Sequence, residues 1–450
     1  MNQTIKSYQL QLKYKNFCFA QNRNNYNTFP GKVYFNDASL NEFYQWFVGF
    51  SDAESSFGIF PLFNSKTQKI EAFSFKFTIG GFAHKDDLDA LNLIKKKLGF
   101  GKIYSYNYSN IFCVTKKEDI NKLICIFEKF PLNTSKHLDF LSFKEAFILY
   151  INRSKLTEEL IGNLLNVKDN INSNRTNFNM PENHLVITKS WLLGFIEGDG
   201  SFSLGRDNLE PVFSIKLTEK QYPVLIKIKE FLEKNLDFDS YSIYKLKCSS
   251  IFTVRFEKPV NNSKPLVALT IKNVHVLNNY LIPFFEENNL GFITKKGKDF
   301  IDFKIICKAI YIGAYHKEEI KSLILKFSYT MNNYRLSTFL GSVEYLNKNE
   351  RDLLINAKPT IEHLKDGRQR YILTKKVVHR RSSSCVYEII KPTGEVLIKS
   401  NLAEAAKILN AGFNTLKRHL EILDDNREEC KVEFRGHLVK RIPVFYPKVK

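Results

Sequence analysis

Two acidic residues, Glu54 and Asp199, close two copies of one short segment: WFVGFSDAESSF from Trp46 to Phe57 and WLLGFIEGDGSF from Trp191 to Phe202. The copies align Trp46 with Trp191, Gly49 with Gly194, Phe50 with Phe195, Asp52 with Glu197, Glu54 with Asp199 and Phe57 with Phe202. Each copy is apolar, rich in small residues, and runs from its carboxylate straight into an aromatic strand signal. Two carboxylates brought side by side repel each other unless a positive charge lies between them, and a divalent cation held by oxygen ligands is the usual solution.

What must bring them together is the helix that each copy predicts. Gly49 and Ala53, like Gly194 and Gly198, fall four residues apart on one helical face. Small residues at that spacing let two backbones approach closely, so these four residues predict the interface between two halves of the chain. If the helices pack there, Glu54 and Asp199 emerge together from the end of the pair.

The repeat is domain-sized. FSFKFTIG (Phe73 to Gly80) alternates cleanly and returns as FSIKLTE (Phe213 to Glu219), with Ser74, Lys76 and Thr78 recurring as Ser214, Lys216 and Thr218 on the face away from the aromatic residues. HKDDLDALNLIKKKLGFG has a helical period with a stop at Gly99, and YPVLIKIKEFLEK is its counterpart. Hairpins are expected over Ile103 to Lys117 and over YSIYKLKCSSIFTVRFEK (Tyr241 to Lys258). PLNTSKHLDFLSFK aligns with FITKKGKDFIDFK, pairing Lys136 with Lys296, Asp139 with Asp299, Phe143 with Phe303 and Lys144 with Lys304. The expected organisation is a leader at 1–38, a first domain at 39–155, a linker at 156–187, a second domain at 188–338, a linker at 339–385 and a C-terminal module at 386–450. In that module VYEIIKPTGEVLIKS reads as a hairpin turning at Pro392-Thr393-Gly394. NLAEAAKILNAGFNTLKRHLE follows with the pattern of a helix-turn-helix, its turn at Asn410 and Thr415, Lys417 and Arg418 on the second helix.

At 450 residues, two or three domains are expected, and 44% hydrophobic residues suffice to fill their cores. Lysine and arginine outnumber aspartate and glutamate by 67 to 47, a net +20, which implies a polyanionic partner such as nucleic acid. No apolar run approaches the roughly 20 residues of a membrane-spanning helix. The seven cysteines show no C-x-x-C pair and no histidines at zinc spacing, a pattern of reduced, buried thiols. Residues 1–33 carry Lys6, Lys13, Lys15, Arg23 and Lys32 without an acid, which fits a mitochondrial presequence and fits a disordered or exon-derived leader at least as well.

The paired motifs, in register over about residues 40–338, resemble the single-chain LAGLIDADG homing endonucleases encoded by organellar group I introns. The resemblance implies an α+β fold: a pseudo-twofold pair of αββαββα domains whose motif helices form the interface and whose antiparallel sheets form a saddle over double-stranded DNA. It implies that Glu54 and Asp199 bind Mg²⁺ or another divalent cation such as Mn²⁺. Lys136 and Lys296 match the basic residues near the scissile phosphates. The sheet faces carrying Ser74, Lys76, Thr78, Ser214, Lys216 and Thr218 would enter the major groove, although strand by strand an ordinary solvent face explains their polarity equally well. By the same resemblance the chain is a monomer in a mitochondrion or another organelle. Its C-terminal module looks like the NUMOD group of small DNA-binding repeats and would place Thr415, Lys417 and Arg418 on DNA. Asp52 and Glu197 are expected to be helix-end or interface polar groups rather than ligands. Ser55 departs from the family's terminal glycine, retained at Gly200, and a helix end prefers glycine for positive φ, so the first turn is expected to be strained.

Three functions fit this sequence. Metal-dependent cleavage of both DNA strands at a long site is favoured by the intact acidic pair. Assistance to splicing of a group I intron RNA would use the same basic exterior. A catalytically silent DNA-binding protein would be expected to have lost Glu54 or Asp199, and neither is lost.

Overall fold

The computed structural model describes residue 35 and residues 37–444, apart from 83–84, 107–108, 182–183, 240, 243–244, 246–250, 260–263, 288–289, 336–340, 379–384 and 423. Residues 1–34 of the leader, Cys18 among them, Cys248 and the basic 379–384 stretch therefore lie outside the described residues, while Asp37 and Ala38 at the leader's end already cap and begin the first helix. The first domain begins with helix α1 (Ala38–Glu54), β1 (Ser55–Phe63), β2 (Ile70–Phe82), α2 (Lys85–Leu98), β3 (Lys102–Tyr106), β4 (Ser109–Val114) and α3 (Lys117–Lys129). It continues with α4 (Lys136–Ile151) and α5 (Glu158–Asp169). The order returns as α6 (Lys189–Asp199), β5 (Gly200–Gly205), β6 (Glu210–Thr218), α7 (Tyr222–Asn235), β7 (Phe252–Glu257) and β8 (Leu266–Ile271). A helical stretch over 274–286 with a π-helical middle at Leu277–Leu281 (α8), then α9 (Lys296–Tyr311) and α10 (Glu318–Ser328), completes the second domain. Each unit is thus αββαββα with further helices, and each sheet is antiparallel with the equivalent order, β1-β2-β4-β3 and β5-β6-β8-β7.

Strand alternation sorts the sheet faces. Phe73, Phe75, Phe77 and Ile79 are buried against Phe57, Phe127, Phe143 and Phe147. Ser74, Lys76 and Thr78 occupy the opposite, open face. Gly99 ends α2 with φ 73°, the left-handed conformation that favours glycine.

Three expectations are corrected. The segment 156–187 is not all linker: α5 buries Leu164 and packs against β1 and α4, because Leu160, Ile161, Leu164 and Leu165 recur at helical spacing. The segment 339–385 is likewise folded. It holds α11 (Lys348–Ile355) and a short hairpin, β9 (Ile361–His363) with β10 (Gln369–Tyr371), and buries Leu354 and Ile361. Of the hairpin read across Tyr241 to Lys258, residues 243–244 and 246–250 lie outside the described residues, and the described Tyr241, Ser242 and Lys245 are helical rather than extended. β7 pairs instead with β8, while Lys245 is fully buried and its Nζ donates to the Pro443 carbonyl at 2.9 Å, tying the second domain to the C-terminal module.

That module consists of β11 (Cys385–Ile390), β12 (Val396–Lys399), α12 (Leu402–Ile408), α13 (Phe413–His419), β13 (Lys431–Phe434) and β14 (His437–Pro443). Its sheet runs β12-β11-β14-β13. Ile389 and Val439 on one face meet Leu402, Ala405, Leu416 and Leu420 in a small core of their own. Val386, from the other face of β11, joins the core of the main body. Asn410 makes the turn between the two helices at φ 48° and Gly394 the hairpin turn at φ 83°.

Candidate active site

The site starts from the packing of α1 against α6. Asp37 caps α1 by accepting from the Leu40 N–H at 3.2 Å, and Thr188 caps α6 by accepting from the Trp191 N–H at 3.2 Å. Where the helices touch, a Cβ on Gly49 would lie 1.9 Å from the Trp191 carbonyl oxygen, and one on Gly194 would lie 1.9 Å from the Trp46 carbonyl oxygen. One turn on, a Cβ on Gly198 would lie 2.4 Å from the Ala53 Cβ and 2.8 Å from Glu54 Cγ. No side chain larger than these fits between the backbones, and this closeness brings Glu54 and Asp199 together.

Both helices stop without positive φ. Ser55 has φ −94° and ψ 164°, and Gly200 has φ −77° and ψ 153°. The expected strain at Ser55 is therefore absent, because each helix passes directly from its carboxylate into an extended strand, a conformation open to any residue.

The preceding acid of each motif organises the second half of the site. Asp52 accepts from the Asn133 N–H at 2.7 Å, the Thr134 N–H at 2.9 Å, the Thr134 hydroxyl at 2.6 Å and, across the interface, the Trp191 indole N–H at 2.8 Å. Glu197 accepts in the same way from the Ile293 N–H, the Thr294 N–H and the Thr294 hydroxyl. These bonds hold the turns that begin α4 and α9, whose first residues are Lys136 and Lys296. Lys136 Nζ donates to the Ala53 carbonyl at 2.8 Å and the Ser51 carbonyl at 3.3 Å; Lys296 Nζ donates to the Gly200 carbonyl at 2.5 Å. A cation thus sits at the carbonyl end of each motif helix, where the helix dipole favours it.

Burial dominates the electrostatics. It raises the Glu54 carboxyl above the usual carboxylate range against the opposing charges of Lys136 and Lys296. Burial, with the Glu54 charge second, pushes Asp199 up to about 7, again against both lysines. Burial lowers Lys136 and Lys296 below the ordinary lysine value, with the nearby carboxylates opposing. A half-buried like-charge pair with partly compensating lysines is the arrangement that a bound cation would relieve. Among the described residues no cluster of three or more His, Cys, Asp or Glu side chains could hold an ion. A pair of carboxylates offers oxygen donors, the chemistry that suits a hard divalent cation completing its shell with water.

Two pairs of residues at the site lay outside the sequence-based reading. In the first, Lys295 N–H donates to Asp87 Oδ1 at 3.0 Å, Ser135 N–H donates to Gln221 Oε1 at 3.3 Å, and Gln221 Nε2 donates to Ser135 Oγ at 2.6 Å. Each bond crosses from one domain to the start of the other's lysine helix. The second pair is Asn172 and Asn332, both left-handed, at φ 56° and 54°. Their N–H groups donate to Asp139 and Asp299 at 2.9 and 3.0 Å, and their side-chain amides donate to the Phe57 and Phe202 carbonyls at 2.7 and 2.6 Å. They fix the strand three residues past each carboxylate. The signal was available as a further repeat, Ile171-Asn172 against Met331-Asn332, each with an arginine three residues later.

The remaining expected residues lie apart from the carboxylates. Ser74, Lys76 and Thr78 share the open face of the first sheet; on the second, Lys216 and Thr218 are exposed, Lys216 pairs with Glu257 at 2.9 Å, and Ser214 is buried. Thr415 and Arg418 are exposed on α13, with Lys417 half-buried beside them.

The family model described as LAGLIDADG endonuclease matches residues 47–147 and 192–307. A probable intron-encoded endonuclease of Schizosaccharomyces pombe, Cox1-I1b, is 31% identical over 195 residues, covering 42% of this chain and 49% of that protein. A probable intron-encoded endonuclease 3 of Neurospora crassa is 27% identical over 275 residues, covering 57% and 48%. The chain thus spans about half the length of these curated relatives. Among solved structures, the I-LtrWI LAGLIDADG homing endonuclease bound to target DNA superposes with a TM-score of 0.54 at 26% identity, over 66% of this chain and all of that one. With the motif copies ending two crossed helices and the family's signature running through both halves around them, this chain belongs to the LAGLIDADG endonuclease family.

Proposed function

We propose that this protein cuts both strands of double-stranded DNA at a long, specific site, as a divalent-metal-dependent endonuclease encoded by an intron of a mitochondrion or another organelle. The observation that carries the reading is the convergence of Glu54 and Asp199 from separate halves, each with a lysine bonded to the carbonyls at its helix end. Glu54 and Asp199 would hold Mg²⁺ or Mn²⁺, which supplies charge stabilisation at phosphorus and at the leaving oxygen when bound. Lys136 and Lys296 keep the site's charge near balance and stand as electrostatic stabilisers for a pentavalent phosphate. Asp52 and Glu197 position those lysines, and Trp191 ties the two halves through Asp52. The open faces of the two sheets, with Ser74, Lys76, Thr78, Ser214, Lys216 and Thr218, would follow the major groove on either side of the cut. Of these, Ser214 is buried and would support the strand rather than touch a base. The net +20 charge supports the polyanionic substrate.

The test is incubation with DNA carrying the uninterrupted insertion sequence, with Mg²⁺ or with EDTA. Double-strand cleavage should require the metal and disappear in Glu54→Gln and Asp199→Asn while binding persists. Undiminished cutting by either variant would sink the assignment.

A further inference from the structure

The two sheets share their topology but not the chemistry of their open faces. β1 runs nine residues and β5 only six, so the first ribbon reaches farther from the carboxylates. On the extra length the open face is apolar. Phe60 and Leu62 are 48% and 47% exposed, pair with Ser74 and Ala72 across the ribbon, and lie outward of the Gly58–Lys76 pair. A Cβ on Gly58 would come within 2.6 Å of the Phe60 ring, so the ring lies along the ribbon over a position that only glycine leaves open. Lysines border this patch at both ends, Lys76 on the inner side and the exposed Lys66 and Lys69 at the turn. The second ribbon has nothing comparable: it ends at Gly205 opposite Glu210, which is ion-paired with Lys272 at 3.0 Å.

An apolar strip between cations has a definite complement in duplex DNA. The lysines suit phosphates, and the feature of the major groove that favours apolar contact is the C5-methyl group of thymine. Resting on the endonuclease reading above, we propose that the first domain recognises the outer part of its half-site through thymine methyls packed on Phe60 and Leu62, whereas the second domain does not. Strand rise and base-pair rise are both about 3.4 Å, which puts Phe60 and Leu62 about five and seven base pairs farther out than Ser55.

The experiment is selection of bound sites from a randomised duplex pool by the full chain, followed by replacement of thymine with uracil at the outer positions of each selected half-site. One half-site should be thymine-rich at those positions. Uracil there should weaken binding about threefold to fivefold per methyl, the effect of burying one such group. The same replacement in the other half-site should leave binding unchanged. In Phe60→Ser/Leu62→Ser the thymine-to-uracil ratio should fall to one while the sequence enriched in the other half-site stays that of the wild type. An enriched site whose outer positions ignore the methyl, or a double variant that keeps the wild-type ratio, overturns this inference and leaves the endonuclease reading standing. A pool with no enriched sequence overturns both. Wild-type self-association abolished by the double variant, with the methyl dependence absent, would assign the patch to a second copy of the chain instead.

Discussion

Replacing Asp199 by asparagine should make the metal-free protein more stable while abolishing cleavage. The carboxyl at Asp199 is pushed from 3.8 to about 7, first by burial and then by the charge of Glu54, with Lys136 and Lys296 opposing. Its folded value thus lies above its unfolded one. The stability linked to this group is complete below about pH 4 and is lost as the pH rises through about 7, where the buried site must accept a charge that the unfolded chain solvates freely. At roughly 1.4 kcal/mol per tenfold change in an equilibrium constant, the full shift is worth at most about 4 kcal/mol. Asparagine is close in shape and cannot ionise. Urea denaturation in EDTA should therefore find Asp199→Asn above the wild type at pH 8.5, with the difference shrinking as the pH falls and reaching zero only below about pH 4. Mg²⁺ should then raise the wild type and leave the variant where it was, since binding to the folded state stabilises in proportion to occupancy. Equal stabilities at pH 8.5 without metal, or a difference that persists on acidification, would refute the argument that burial and Glu54 together load this site.

Gly194→Ala should lower stability and cleavage together: its Cβ would meet the Trp46 carbonyl at 1.9 Å, and a cost at or above the roughly 1–3 kcal/mol of overpacking is expected in thermal denaturation. Gly162→Ala in α5, with nothing near the added methyl, should be neutral or stabilising and serves as the control. Asp87→Ala removes the acceptor for the Lys295 N–H at the start of one lysine helix only. Plasmid cleavage should then accumulate nicked circles as one strand lags, whereas strands that stay in step would show that Asp87 does not position that helix. In the C-terminal module, Lys417→Ala/Arg418→Ala should flatten the dependence of log affinity on log salt by about two phosphate contacts, close to 0.9 each, with cleavage retained; an unchanged slope would place α13 off the DNA.

What the sequence determined was everything carried by repetition and local period. The twin motifs, the small residues four apart, the alternation of Phe73, Phe75 and Phe77, and the register of Lys136 with Lys296 are all patterns of residues close in the chain or copied within it, so they are legible without coordinates. The helix ending at Gly99 and the turns at Gly394 and Asn410 were legible for the same reason, because backbone conformation there follows from residue type. What only the tertiary structure decided were the pairings between segments far apart. Sequence spacing does not reveal that β7 takes its partner from Leu266–Ile271, or that Lys245 is spent on Pro443. Nor does it reveal that Asp52 caps a turn some eighty residues away while its neighbour Glu54 faces the opposite half. The two acids stand two residues apart on the same helix end, and hydrogen-bond geometry separates them. Asp52 finds N–H and O–H donors that tie it to the turn before α4, whereas Glu54 reaches across the helix pair toward Gly198 and Asp199. A carboxylate's role depends on what long-range packing sets against it, and two acids one residue removed from each other in a motif carry no label that says which is which.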